Sequence, residues 1–213
     1  MIPALYPILS SETFPGALED WARRLAEAGV EFFQYRDKSA SSAHLLATAL
    51  RLAALAAQLH FRFVVNDRAD IAALSGAAGV HVGQDDLPVD AARGVCGPAS
   101  IVGVSTHNLD QFRAALATSA DYIAVGPIFP TATKRNPDPV VGVELIRQVR
   151  ALTRKPIVAI GGITAERAAE AYAAGADSIA VASGIATAAD LKARVAAYLR
   201  AFPGPRNAPS ASR

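Results

Sequence analysis

Short apolar runs of strand length alternate with longer helical stretches along the whole chain, and that rhythm leaves few folds open. Strands are predicted over residues 5–9, 30–36, 61–65, 79–82, 101–104, 121–125, 156–160 and 177–182. After the first of them, Leu18, Trp21, Ala22 and Leu25 recur at helical spacing, and Gly29 closes that helix as a C-terminal cap does. Leu45, Leu46, Ala49, Leu52, Ala56 and Leu59 mark a second helix, and Ile71 and Leu74 a short third one. Further helices are predicted over 109–118, 144–152, 165–174 and 188–201. Eight strands, each followed by a helical segment, indicate a single-domain α/β protein with a closed parallel (β/α)8 TIM barrel. A doubly wound open sheet is the runner-up. Against it, no Gly-x-Gly-x-x-Gly follows the first strand, where dinucleotide folds carry that motif. The barrel is assigned to residues 1–202, and the Pro/Ser/Asn-rich segment 203–213 reads as a mobile tail.

Composition excludes several classes. At 213 residues and 52% hydrophobic, the chain has enough apolar side chains for one sizeable core and is not a disordered polymer. A formal net charge of +2, with no run of Lys or Arg, argues against a nucleic-acid surface. The one cysteine, Cys96, excludes a disulfide scaffold; it reads as a bystander in a loop at 94–98. The most apolar region, 157–185, is interrupted by Glu166, Arg167, Glu170 and Asp177, so no membrane span is predicted there. The N-terminus lacks a basic flank, and a cytoplasmic, soluble protein is expected.

In a barrel the loops after the strands share one face, and the polar residues gather there. Asn66-Asp67-Arg68 follows the third strand and Gly83-Gln84-Asp85-Asp86 the fourth. Such segments also make turns after strands, but on adjacent strands Asp67 and Asp86 would meet as hard oxygen ligands of the kind Mg²⁺ prefers. Alternation along the second strand points Gln34, Arg36 and Lys38 to one side, away from Tyr35 and Asp37. Buried at a strand end, those three call for an anion or polar ligand, or for a salt-bridge cluster with acids on neighbouring strands. Ser105-Thr106-His107 follows the fifth strand, with His107 open to a base, a contact or a capping role.

Thr131, Thr133 and Lys134, in a proline-containing loop after the sixth strand, supply two hydroxyls and an ammonium. The stretch from 134 to 139 is suited to close as a lid. Gly161-Gly162 and Ala182-Ser183-Gly184 end the last two strands, where small residues and helix N-termini suit a phosphate. The face thus offers two anion sites. One suits a diphosphate held through a metal and the other a monophosphate. An enzyme with both can join a phosphorylated acceptor to a substrate whose leaving group is diphosphate.

With those segments in order, the sequence resembles the thiamine-phosphate synthase family, in the superfamily that also holds the thiazole tautomerase. The likeness rests on Gln34-Tyr35-Arg36-Asp37-Lys38, Asn66-Asp67-Arg68, Gly83-Gln84-Asp85-Asp86, Gly103-Val104-Ser105-Thr106-His107, the loop Gly126 to Lys134, Gly161-Gly162-Ile163 and the Ser183 segment. Asp37, where many relatives have Glu, and the Ala182-Ser183-Gly184 variation are the departures. The resemblance implies Mg²⁺ on Asp67 and Asp86. It implies an aminopyrimidine diphosphate on Gln34, Arg36, Lys38, Asn66, Ser105 and Lys134, and a thiazole phosphate on Thr131, Thr133, Gly162, Ala182 and Ser183. Arg36, Lys38 and Lys134 would be catalytic, stabilising the departing diphosphate while the thiazole nitrogen attacks the exposed methylene, through a pyrimidine cation. A tautomerase has no diphosphate to neutralise, so the carboxylate pair and Lys134 favour the synthase; His107 fits both. A non-catalytic binder needs no metal pair. The implied partners are the two phosphorylated small molecules, with no nucleic acid or membrane; homo-oligomerisation stays open.

Overall fold

Alternation inside each strand decides which side chains fill the barrel and which face the helices. In the computed structural model, which describes residues 2–131 and 139–205, the order is β1 (Leu5–Ser10), α1 (Leu18–Glu27), β2 (Phe32–Arg36), α2 (Ser42–Leu59), β3 (Arg62–Asn66), α3 (Ala69–Ser75), β4 (Gly79–Val82) and α4 (Val89–Cys96). The second half runs β5 (Ile101–Thr106), α5 (Leu109–Leu116), β6 (Tyr122–Val125), α6 (Gly142–Arg150), β7 (Ile157–Ile160), α7 (Ala165–Ala174), β8 (Ser178–Val181), α8 (Ser183–Ala186) and α9 (Leu191–Arg200). The strands pair in sequence order, all parallel, and β8 returns to β1 through Tyr6↔Ala180, which closes the barrel.

One parity of strand residues (Tyr6, Ile8, Phe32, Val64, Tyr122, Ala124, Val158, Ala180) packs into a small interior core. The other parity (Leu9, Phe33, Tyr35, Phe63, Val65, Val104, Ile123, Val125, Ile157, Ile179) joins the helices in a much larger outer core. Burying each large apolar side chain contributes on the order of 2 kcal/mol, so the outer layer carries most of the stabilisation. Towards the carboxyl ends of β2 to β5 the interior parity changes to Gln34, Arg36, Asn66, His81 and Ser105. That change places polar chemistry at one mouth of the barrel.

Several predicted boundaries shift for identifiable reasons. β2 begins at Phe32 because Val30 is used to end α1: its N–H reaches the Leu25 carbonyl while that of Gly29 reaches Ala26. Residues 94–96 are helical instead of loop. The turn of α4 buries only Val89 and Ala92, too little apolar repetition to announce itself, and Gly97 ends it. Cys96 is therefore its last residue, with Sγ 3.3 Å from the Ala69 carbonyl and its thiol pushed up by burial. The helix predicted over 188–201 starts at Leu191 as α9, and the short α8 ahead of it was not predicted. The Asp190 side chain caps α9, accepting from the Ala193 N–H. At 18 residues, α2 is the one described helix long and apolar enough to cross a membrane. It lies instead on the barrel through Leu45, Ala49, Leu52 and Leu55, with Ser41 as its cap. Residues 206–213 of the predicted tail lie outside the described residues.

Candidate active site

The carboxyl ends of the strands open into a cavity of about 1010 Å³. Among the residues predicted for the site, Gln34, Arg36, Lys38, Asn66, Asp67, Asp86, Ser105, Thr131, Gly162, Ala182 and Ser183 all line it. Thr133 and Lys134 lie outside the described residues.

Asp67 is placed by a backbone device. It follows β3 in the left-handed region at φ 63°, uncommon outside glycine, and its N–H donates to the His81 carbonyl at 2.8 Å. The chain therefore turns where β3 and β4 still run side by side, which presents the carboxylate to β4's loop. Across from it, Asp86 accepts the Gly83 N–H at 2.7 Å, so its own turn aims it back at Asp67. Partial burial raises the Asp86 pKa, and the Asp67 carboxyl within hydrogen-bond reach raises it further. Asp86, with a second carboxylate beside it that disfavours its ionisation, forms with Asp67 a donor set whose repulsion a divalent cation relieves. Asp85 borders the same cavity at its exposed rim.

Two cations stand at the same mouth. Lys38 Nζ lies 3.1 Å from Asp67 Oδ2, and Arg36 Nη1 donates to Glu12 Oε2 at 3.0 Å. Both are the acid partners on neighbouring elements that a salt-bridge cluster requires, and both stand at the cavity wall. Such partly exposed pairs add little stability, so their value lies in the charge they hold there. Arg68, by contrast, turns outward to a two-point contact with Asp70 at 2.8 and 2.6 Å.

The opposite wall is built from small residues. Ile128 N–H donates to the Ile160 carbonyl and Phe129 N–H to Gly161, which extends the β6–β7 pairing beyond both strands. That pairing draws the β6 loop, Thr131 included, over Gly162. A Cβ on Gly162 would sit 2.4 Å from the Pro130 carbonyl oxygen, and its φ is 63°, so only glycine fits the crossing. Beyond β8, Ala182 and Ser183 begin α8, whose first N–H groups have no partner within the helix. His107 also borders the cavity; its Nδ1 bonds the Gly126 carbonyl at 2.6 Å.

Glu12, Arg167, Tyr6 and His81 are among the lining residues that the sequence did not announce. Glu12 belongs to the β1 loop, and Arg167 reaches over from α7 with its guanidinium above the Phe129 ring and Nη1 3.2 Å from the Gly162 carbonyl. Tyr6 and His81 lie within strands. His81 is held at the floor by Tyr122 Oη, 2.9 Å from Nδ1, and by Ser105 Oγ, 2.8 Å from Nε2. Burial lowers its pKa to about 4, so the ring is neutral near pH 7. Between pH 6.5 and 4 the unfolded chain therefore binds a proton that the folded chain refuses. The stability linked to His81 is complete above pH 6.5 and falls as pH drops towards 4, by about 3 kcal/mol. Urea unfolding at pH 7 and pH 4 checks this: His81→Gln is expected to lose less stability than the parent over that interval by about that amount.

Cations beside a carboxylate pair on one wall, small-residue loops on the other, and a (β/α)8 frame define a barrel built to handle phosphorylated ligands. The family model described as thiamine monophosphate synthase matches residues 5–185. The chain is 46% identical over 185 residues to the thiamine-phosphate synthase of Koribacter versatilis, covering 84% of this chain and 87% of that one. It is 43% identical over 199 residues to the thiamine-phosphate synthase of Shouchella clausii, covering 93% and 95%. A solved structure, the thiamine phosphate pyrophosphorylase from Pyrococcus furiosus, superposes with a TM-score of 0.83 at 30% identity, covering 93% and 94% of the two chains. The chain belongs to the thiamine monophosphate synthase family.

Proposed function

We propose that this chain is a transferase that joins 4-amino-2-methyl-5-(diphosphooxymethyl)pyrimidine to hydroxyethylthiazole phosphate, giving thiamine phosphate and diphosphate. The observation that carries the reading is the Asp67–Asp86 pair with Lys38 against it, sharing one cavity with Arg36 and with the small-residue wall of Gly162 and Ser183.

Asp67 and Asp86 fit Mg²⁺, which takes one or two carboxylates and completes its shell with waters and phosphate oxygens. When bound, Mg²⁺ neutralises charge on the diphosphate and so makes it a better leaving group. Arg36, Lys38 and Lys134 supply positive charge to the same oxygens as the C–O bond breaks. Gln34, Asn66 and Ser105 hold the pyrimidine. Thr131, Thr133, Gly162, Ala182 and Ser183 hold the thiazole phosphate, which orients the ring nitrogen towards the methylene carbon. The new C–N bond uses the thiazole nitrogen's lone pair, and the electron pair of the broken C–O bond leaves with diphosphate. No nucleophilic side chain is needed. An isomerase acting on the thiazole phosphate alone has no use for the carboxylate pair.

Product identification tests this reading. Purified protein given both phosphorylated precursors and Mg²⁺ is expected to yield thiamine phosphate and one equivalent of diphosphate. Tautomerised thiazole phosphate with no coupled product would sink it.

A further inference from the structure

Beneath the cavity, five side chains from β1, β2, β4, β5 and β6 form one unbroken hydrogen-bonded chain. Gln34 Nε2 donates to Tyr6 Oη at 2.8 Å; Tyr6 and Tyr122 hydroxyls are 2.7 Å apart; Tyr122 Oη meets His81 Nδ1 at 2.9 Å; His81 Nε2 meets Ser105 Oγ at 2.8 Å. Gln34, Tyr6, His81 and Ser105 line the cavity, whereas Tyr122 is wholly buried below it. The place for Tyr122 is made by its neighbour across the sheet. A Cβ on Gly103 would lie 2.0 Å from Tyr122 Cζ, so the ring occupies the space of the missing side chain.

Counting hydrogens restricts this chain severely. Tyr6, Tyr122 and neutral His81 each carry one polar hydrogen, and each sits between two bonds. If every bond is made, each of the three donates once and accepts once, all in the same direction. With Gln34 donating through Nε2, Tyr6 donates to Tyr122, Tyr122 to His81 Nδ1, and His81 Nε2–H to Ser105. Gln34 then has its amide oxygen and one Nε2 hydrogen left for a ligand, and Ser105 keeps its own hydroxyl hydrogen to donate. The reverse direction requires the Gln34 amide to flip and makes Ser105 spend its hydrogen on His81. A mixed arrangement leaves a buried hydroxyl hydrogen without an acceptor, which costs about 1–3 kcal/mol.

We infer that Tyr122, with Tyr6 and His81, is a positioning residue that fixes this direction, so that the floor presents an acceptor at Gln34 and a donor at Ser105 and thereby selects a 4-aminopyrimidine over a 4-oxopyrimidine. A 4-aminopyrimidine offers an amino donor and ring-nitrogen acceptors. The 4-oxo ring offers a carbonyl acceptor beside a ring N–H donor, and would meet two acceptors at Gln34 or two donors at Ser105. A site built to pair polar groups rejects the mismatched partner strongly because its own groups are left unpaired. The inference rests on the function proposed above.

Two measurements on the full chain test it. The first is ¹⁵N NMR of His81, which is independent of activity: the parent is expected to carry its proton on Nε2 with Nδ1 bare, and Tyr122→Phe to give a mixture. The second compares kcat/KM for amino- and 4-oxopyrimidine diphosphates in coupling. The parent is expected to prefer the amino ring by about 10³-fold or more, and Tyr122→Phe to lower that preference about tenfold or more. Tyr35→Phe, an equivalent deletion in the outer core, is expected to leave the ratio unchanged. A parent His81 protonated on Nδ1, or an unchanged ratio in Tyr122→Phe, overturns the inference. If the parent couples neither ring, the proposed function fails, and the His81 tautomer alone decides the network. If Tyr122→Phe does not fold, the His81 tautomer of the parent likewise decides the network.

Discussion

Asp67→Asn is expected to lower the coupling rate about 10²–10³-fold while thiazole phosphate binds as before, since one group stabilising a departing anion commonly has that effect. Asn keeps the size of the side chain and tolerates the left-handed backbone that Asp67 adopts at φ 63°, so the turn after β3 is retained. What is lost is one anionic oxygen facing Asp86 and the ion partner of Lys38. The measurements are steady-state coupling and calorimetric titration with thiazole phosphate. Loss of both together would mean that Asp67 shapes the fold of the mouth instead of holding charge in it.

Gly162→Ala is expected to do the opposite. The added Cβ meets the Pro130 carbonyl oxygen at 2.4 Å and the Phe129 carbonyl oxygen at 2.8 Å, both backbone atoms, and the positive φ adds strain. The β6 loop must therefore lift from the β7 loop and carry Thr131 with it. Thiazole phosphate affinity is expected to fall about tenfold or more, and stability by about 1–2 kcal/mol. Binding of the pyrimidine diphosphate should fall less, because Arg36, Lys38, Asp67 and Asp86 stand on β2 to β4 and their loops, and of the proposed clamp only Lys134 follows β6. Titration with each substrate separates the two effects. Equal losses for both would contradict the division of the cavity into two anion sites.

The parity of polar residues at strand ends was legible in the chain because it needs only a local rule. Gln34 and Arg36 face inward since alternate strand residues share a face, and Asp67 and Asp86 meet since consecutive strands of this barrel are neighbours. The Tyr6–Tyr122–His81 chain was not legible. Tyr6 and Tyr122 are 116 residues apart, and a tyrosine in an apolar strand looks the same whether its hydroxyl meets water or another strand's hydroxyl. Its one sequence trace is Gly103 inside β5, a gap that the ring of Tyr122 fills. Arg167 was hidden for a related reason. On α7 it reads as an ordinary exposed helical arginine, and only the three-dimensional course of the β6 loop brings Phe129 under it. The helix α4 was missed because two buried residues in eight give no helical period to read.

Single-turnover coupling with saturating substrates, in Mg²⁺ and in excess chelator, tests the central claim most directly. The parent protein is expected to form thiamine phosphate with Mg²⁺ and to slow by at least about 10²-fold in chelator, whereas Asp86→Asn should be slow in both and nearly insensitive to the metal. Equal rates with and without Mg²⁺ in the parent, or a metal response undiminished in Asp86→Asn, would contradict a diphosphate clamp built on Asp67 and Asp86.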